Sequence, residues 1–209
     1  MSQYIHLHNH THYSLLDGAS TVETLLKAAV ANNMPAVALT DHGVMFGAIE
    51  FYKKAKKKNI KPIIGCEVYI LSKGSRFEKS VKVRDEGNDA LNTDGKSKKR
   101  DYHHLILLCK NETGYHNLIK LVTLGHTEGF YYKPRIDFEL LKQHHEGLVC
   151  MSACAGGVVA AHLVNDDFDT ARDVAMMYHK LFGEDFYLEI QDHGIDAEKK
   201  VLRDMPVLA

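Results

Sequence analysis

The sequence predicts an α/β fold in which strands and helices alternate around a barrel-like sheet. Three observations predict it. Short apolar runs of strand length recur at 36–39, 62–71, 103–109, 148–152 and 186–190, bounded by turn residues. Stretches with apolar residues at helical spacing separate most of them,. Histidine, acidic residues and cysteine gather near the ends of the runs, where folds of this class build active sites.

The chain opens on His6-Leu-His-Asn-His-Thr-His12, with imidazoles at alternate positions. Alternate side chains of an extended segment share a face, so 4–9 is predicted as a first strand that brings at least two histidines together. Neutral imidazole is a good ligand for divalent transition metals, and Asp17 just beyond can complete a site. A polar edge or an affinity tag fits poorly, because Ile5, Leu7, Leu15 and Leu16 are woven through the segment.

Ser20-x-x-Glu23 reads as a capping box. Val22, Leu25, Leu26, Ala29 and Val30 then follow the spacing of a one-sided helix,. Ala36–Leu39 is a strand buried on both faces, ending in Thr40-Asp41-His42-Gly43. A second helix is expected over about 46–58, with Ile49, Tyr52 and Ala55 inward. Lys53, Lys54 and Lys56 to Lys58 read as a solvated face that complements the helix dipole in preference to a DNA contact. In the strand at 62–71, Glu67 interrupts an apolar run. A buried carboxylate needs a partner, and a metal or another cation supplies one.

Residues 73–101 turn polar and read as an insertion,. His103–Cys109 resumes the core, followed by a helix from Glu112 to Leu124 with Leu118, Leu121 and Val122 inside and Gly125 as its stop. Phe130-Tyr-Tyr-Lys133-Pro-Arg135 mixes aromatics with cations, as suits base stacking and phosphate contact. It equally fits a surface loop anchored by its aromatics. A short helix over 137–145, a strand over 148–152, a helix over 170–182 stopped by Gly183, a strand over 186–190 and a helix from Asp196 complete the chain. His104 precedes its run while the other candidates follow theirs. The run at 104–109 is therefore expected to descend antiparallel to 62–71.

Length and composition set limits. The 209 residues suffice for one sizeable domain,. A hydrophobic share of 45% and a charged share of 25% are those of a soluble globular chain,. Net charge is −1, so no global basic field holds nucleic acid. No run approaches a membrane span of ~18 residues and no signal segment opens the chain, so a cytoplasmic location is expected. The four cysteines lack paired zinc-ribbon spacing,.

His8, His10, Asp17, His42, Glu67, His104 and Cys154 thus form one candidate set. Seven such groups exceed the four ligands of a single tetrahedral zinc. They suit a cluster of two or three ions about 3.5–4 Å apart, which activates water and holds phosphate oxygens. The mixture of imidazole, carboxylate and thiolate favours zinc or manganese over magnesium.

The stretches His6-Leu-His-Asn-His-Thr, Ser14-Leu-Leu-Asp-Gly18, Thr40-Asp-His-Gly-Val-Met-Phe-Gly-Ala-Ile-Glu-Phe-Tyr52, Lys61-Pro-Ile-Ile-Gly-Cys-Glu-Val-Tyr69 and Gly129-Phe-Tyr-Tyr-Lys-Pro-Arg-Ile-Asp137 resemble the N-terminal PHP (polymerase and histidinol phosphatase) domain of bacterial DNA polymerase III alpha subunits. The resemblance spans essentially the whole chain. It implies a distorted seven-stranded (β/α) barrel carrying up to three metal ions. The ligands it implies are His8, His10, Asp17, His42, Glu67, His104 and Cys154; the mixture of aromatics and cations in its own stretch makes Lys133 and Arg135 candidate substrate contacts. In some bacteria this domain is a metal-dependent 3′–5′ proofreading exonuclease; in others it is a scaffold that has lost ligands. Every ligand position reached here is filled, which favours the metal-binding kind.

The family carries a further Asp-x-His motif on its seventh strand, and nothing after residue 190 matches it. The resemblance therefore implies an N-terminal fragment of a longer polymerase subunit, truncated after the sixth strand, with fewer ions and weak or no hydrolysis. The partners implied are DNA and other holoenzyme subunits, including a separate exonuclease subunit. Two alternatives stand beside the exonuclease: a non-catalytic metal-stabilised scaffold that docks that subunit, and a free-standing PHP phosphatase. An amidohydrolase has no clearly placed bridging lysine to support it.

Overall fold

A computed structural model describes residues 4–15, 17–79 and 102–209. Its centre is the strand β2 (Lys61–Leu71), which is buried from Gly65 onward. Strand β1 (Ala36–Leu39) pairs parallel with the first half of β2. Strand β3 (Tyr102–Cys109) pairs antiparallel with the second half, from Gly65 opposite Leu108 to Leu71 opposite Tyr102. The descent expected from the position of His104 is what the structure has.

Beyond β3 lie β4 (Phe130–Tyr131), β5 (Lys133–Ile136), β6 (Leu148–Met151) and β7 (Phe186–Tyr187). The sheet runs β4-β5-β2-β3-β6-β7, with β1 also on β2. It is a mixed α/β sheet whose path does not close on itself among the described residues. Because β3 opposes both β2 and β6, the start of β3 lies at the same end of the sheet as the ends of β2, β6 and β7.

The helices are α1 (Val22–Ala31), α2 (Ala48–Lys57), α3 (Glu112–Thr127), α4 (Phe138–Gln143), α5 (Ala160–Val164), α6 (Phe168–Phe182) and α7 (Asp196–Leu208). None is long and apolar enough to cross a membrane among the described residues. The period of two along β2 and β3 divides the core. Cys66, Val68, Ile70, Leu105 and Leu107 pack against the helices. Glu67, Tyr69, His104 and Ile106 project from the other face, with Glu67 opposite Ile106 and Tyr69 opposite His104. The second face carries the chemistry.

Several expectations are corrected. Residues 4–9 run beside β1 but form no strand. The carbonyls of His6 and Asn9 accept from Ala38 and Thr40, while the Asn9 N–H donates to the Thr40 hydroxyl and not to a carbonyl, which interrupts the ladder. The last strand stops at Tyr187, because the Glu189 N–H donates to Ser152 Oγ. A hairpin, β4–β5, forms where a loop was expected.

Helix α1 is capped by Thr21 accepting from the Thr24 N–H, not by a Ser20/Glu23 box. Val30 is exposed. Helix α2 turns Ala48, Phe51 and Ala55 inward, leaving Ile49 56% and Tyr52 46% exposed. Both stripes satisfy helical spacing, and the one with two alanines lets the helix lie closer to the sheet. Gly125 is inside α3, where a Cβ would come within 3.3 Å of the Pro134 carbonyl; it permits close packing and does not end the helix. Of the polar stretch 73–101, residues 80–101 lie outside the described residues. Arg76, which is described, is held by Glu128 and Asp137.

Candidate metal centre

Glu67 is 1% exposed and sits at the hub of the site. Its Oε2 lies 2.7 Å from His8 Nε2 and 3.6 Å from His10 Nε2. Its Oε1 lies 2.6 Å from His42 Nδ1 and 2.9 Å from His104 Nδ1. Cys154 Sγ is 3.6 Å from His104 Nδ1, and Asp17 Oδ2 is 2.7 Å from His42 Nε2. All seven candidates, drawn from positions 8 to 154, therefore join in one connected cluster.

The backbone explains how they meet. His42 follows β1 and forms a parallel bridge with Glu67 in mid-β2. His104 lies near the start of β3 and also bridges to Gly157 beyond β6, which brings Cys154 alongside. The His8–His10 segment is tied down by Asp41. This buried carboxylate accepts from the Thr11 N–H (2.6 Å), the Thr11 hydroxyl and the Ser14 hydroxyl (2.8 Å). Ser14 Oγ in turn accepts from the His42 N–H. The turn that presents Asp17 closes on Gly18, where a Cβ would fall 1.8 Å from the Thr11 carbonyl oxygen.

Two groups of side chains have ligand atoms within 4.8 Å of one another: His8, His10 and Glu67, and Glu67, His104 and Cys154. Glu67 belongs to both. Three buried polar atoms, His42 Nδ1, Glu67 Oε1 and Glu189 Oε2, have no hydrogen-bond partner among the described residues. The short His42–Glu67 contact is thus not aligned as a hydrogen bond. Buried polar atoms left unpaired are costly. Cations shared among these donors would satisfy His42 Nδ1 and Glu67 Oε1, and imidazole, carboxylate and thiolate together suit zinc-type ions. The residues fit a metal cluster.

A family model described as PHP domain matches residues 6–193. The chain belongs to the PHP domain family. DNA polymerase III subunit alpha of Borreliella burgdorferi is 50% identical over 194 residues, covering 93% of this chain and 16% of that protein. The same subunit from Treponema pallidum is 47% identical over 199 residues, covering 95% and 16%. In Aquifex aeolicus it is 41% identical over 207 residues, covering 99% and 17%. The chain thus spans 16–17% of the length of these curated relatives. Among solved structures, a putative metal-dependent phosphoesterase from Bifidobacterium adolescentis is similar at a TM-score of 0.38 and 16% identity, over 59% of this chain and 33% of that one, too low to bear on fold or function.

Within this PHP domain the electrostatics follow from the hub. Burial works against charge on Glu67, but contacts from His104, His42 and His8 overcome it and hold the carboxyl well below its usual range. Burial likewise opposes protonation of His8, yet Glu189 and Glu67 together push it up to about 10. Burial is again outweighed at His104, where Cys154 and Glu67 push the imidazole up to about 9. His42 moves up for similar reasons. For His10 burial prevails and its value falls. Without metal, the cluster is a carboxylate clasped by imidazolium groups.

The two predicted substrate contacts separate. Lys133 Nζ lies 5.1 Å over the Tyr69 ring, and Tyr69 stacks 6.2 Å from His42, so this cation borders the cluster. Arg135 is fully buried; its guanidinium donates to the carbonyls of Gly129 and Glu78. That position sets Arg135 apart from the cluster: it fastens the β4–β5 hairpin to the chain beside it.

Sequence reasoning missed Glu189 and Gln191. Glu189 Oε1 lies 2.7 Å from His8 Nδ1 and accepts from Gln191 Nε2 at 2.7 Å. The signal that revealed Glu67, a carboxylate interrupting an apolar run, is also present in Phe186-Tyr-Leu-Glu-Ile190.

Proposed function

We propose that residues 1–209 are the metal-binding PHP domain of a cytoplasmic replicative DNA polymerase III alpha subunit, and that the cluster hydrolyses phosphodiester bonds at DNA 3′ ends. The observation that carries this reading is the buried Glu67 carboxylate shared by four imidazoles, with unpaired polar atoms at the centre. His8, His10 and Glu67 would hold one divalent ion and Glu67, His104 and Cys154 a second. Asp17 and His42 would supply their share of a third. The thiolate and imidazoles favour zinc, with manganese next.

When bound, such ions ionise water at neutral pH and neutralise phosphate oxygens. The chain's own groups do the rest. Glu67, central to the cluster, fixes the spacing of the ligands on both sides. Asp41 holds the His8–His10 segment against the end of β1. Lys133 offers a cation beside the cluster to a non-bridging phosphate oxygen, and Tyr69 keeps that ammonium in place. The partners that follow are DNA and the other subunits of a replicative polymerase.

The test combines metal analysis with digestion of 3′-labelled single-stranded DNA by the full-length subunit. Bound zinc or manganese together with 3′ release that a chelator abolishes is the expected result. Metal that raises the melting temperature without any 3′ release would replace the hydrolytic reading with a structural one, a scaffold for a separate exonuclease subunit.

A further inference from the structure

We propose that Glu189 is a positioning residue for His8: it holds the Nδ1–H and so dedicates Nε2 to the group formed with His10 and Glu67. The inference rests on the metal-centre reading above. A neutral imidazole has one N–H, and which nitrogen carries it is set by the partner of the other. An ionised carboxylate can only accept. In the metal-free chain both ring nitrogens face carboxylates at 2.7 Å and both carry protons; when a cation replaces the proton on Nε2, Glu189 keeps the one on Nδ1 and leaves the Nε2 lone pair to the ion. That nitrogen faces Glu67 Oε2 at 2.7 Å, and His10 Nε2 lies 3.6 Å from the same oxygen.

Glu189 is itself held. Its N–H donates to Ser152 Oγ at 2.8 Å, which links the chain beyond β7 to the end of β6. Gln191 Nε2 donates to Oε1 at 2.7 Å and lies 3.2 Å from His8 Nδ1, so two donors converge on one oxygen. The side chain is 9% exposed and its Oε2 has no hydrogen-bond partner among the described residues. An apolar residue would fill this place at lower cost than a half-satisfied carboxylate. Its charge finds its use at His8, as outer carboxylates orient metal-ligating histidines and raise their basicity.

The test measures zinc affinity by chelator competition, and the His8 tautomer of the zinc-loaded protein by long-range ¹H–¹⁵N correlation, in the 209-residue chain and in Glu189→Ala and Glu189→Gln. Glu189→Ala should bind zinc about 10–100-fold more weakly, with His8 divided between tautomers. Glu189→Gln keeps the volume and an accepting oxygen, and should fall between. A residue that only supported the fold would lower the melting temperature and leave the tautomer unchanged. If Glu189→Ala does not fold, Glu189→Gln carries the test: a measurable loss supports the inference, and wild-type affinity overturns it. Variants that match a zinc-binding wild type, or a His8 that ligates through Nδ1, overturn this inference alone. A wild-type chain that binds no zinc overturns the metal centre and this inference with it.

Discussion

Replacing Glu67 by glutamine removes one charge and almost no volume. In the metal-free protein the carboxylate faces His8, His42 and His104 at 2.6–2.9 Å, from a position that is 1% exposed. Removing one partner of a buried ion pair costs about 3–5 kcal/mol, because the remaining charge is stranded. For a chain of this length each kcal/mol corresponds to about 2–4 °C, so the melting temperature should fall by roughly 6–20 °C. Zinc at a hundredfold excess over its dissociation constant adds about 2.7 kcal/mol to a protein that binds it only when folded. The wild type should gain most of that, and Glu67→Gln little, having lost the ligand common to both groups. Thermal melts by circular dichroism, with chelator and with zinc, provide the measurement. A metal-free Glu67→Gln that melts within about 2 °C of wild type would show that the carboxylate is not the keystone argued here, since surface-scale effects stay within ±0.5 kcal/mol.

The pH dependence of the metal-free protein has a definite sign. His8, raised from 6.5 to about 10, and His104, raised to about 9, contribute stability that is complete below pH 6.5 and is lost as pH rises through those values. The His8 contribution is at most about 5 kcal/mol, and the two share Glu67, so they do not add. Urea unfolding between pH 6 and 9.5 should show the decline, whereas zinc affinity should climb over the same range as the imidazoles lose protons; parallel trends would be inconsistent with this coupling. Gly18→Ala forces a Cβ onto the Thr11 carbonyl. It should displace Asp17 from His42 and lower metal stoichiometry before it lowers overall helicity, as read by metal analysis and circular dichroism. Arg135→Met leaves the Gly129 and Glu78 carbonyls without their donor and should cost roughly 2–6 kcal/mol in urea melts. Lys133→Ala should leave the melting temperature unchanged and slow 3′ release; the reverse pattern would return Arg135 to the substrate.

The sequence made most of the cluster legible because burial makes certain residues conspicuous. Glu67 stands out in an apolar strand, and the alternation of His8 and His10 survives even though their segment forms no ladder. The position of His104 ahead of its run encodes the reversed direction of β3. Other features depend on tertiary packing that no local pattern carries. The inward face of α2 reads as an Ile49–Tyr52 stripe, whereas the structure buries Ala48 and Phe51, because packing against the sheet and not helical spacing selects the face. Arg135 looked like a surface cation because nothing nearby in sequence announces that the carbonyls of Gly129 and Glu78 await its guanidinium. Glu189 carried the same signal as Glu67, but its partner His8 is 181 positions away.

That separation has a kinetic consequence. At synthesis rates of about 5–20 residues per second, the 181 positions between His8 and Glu189 correspond to a wait of roughly 10–40 s for a His8 that has already left the ribosome. The β2–β3 pairing, which needs only residues up to 109, can form well before. Glu67 can thus be seated in the sheet, with His42 and His104 beside it, while the outer partner of His8 is still unsynthesised. The fixing of His8 by Glu189 should accordingly be among the last events of folding.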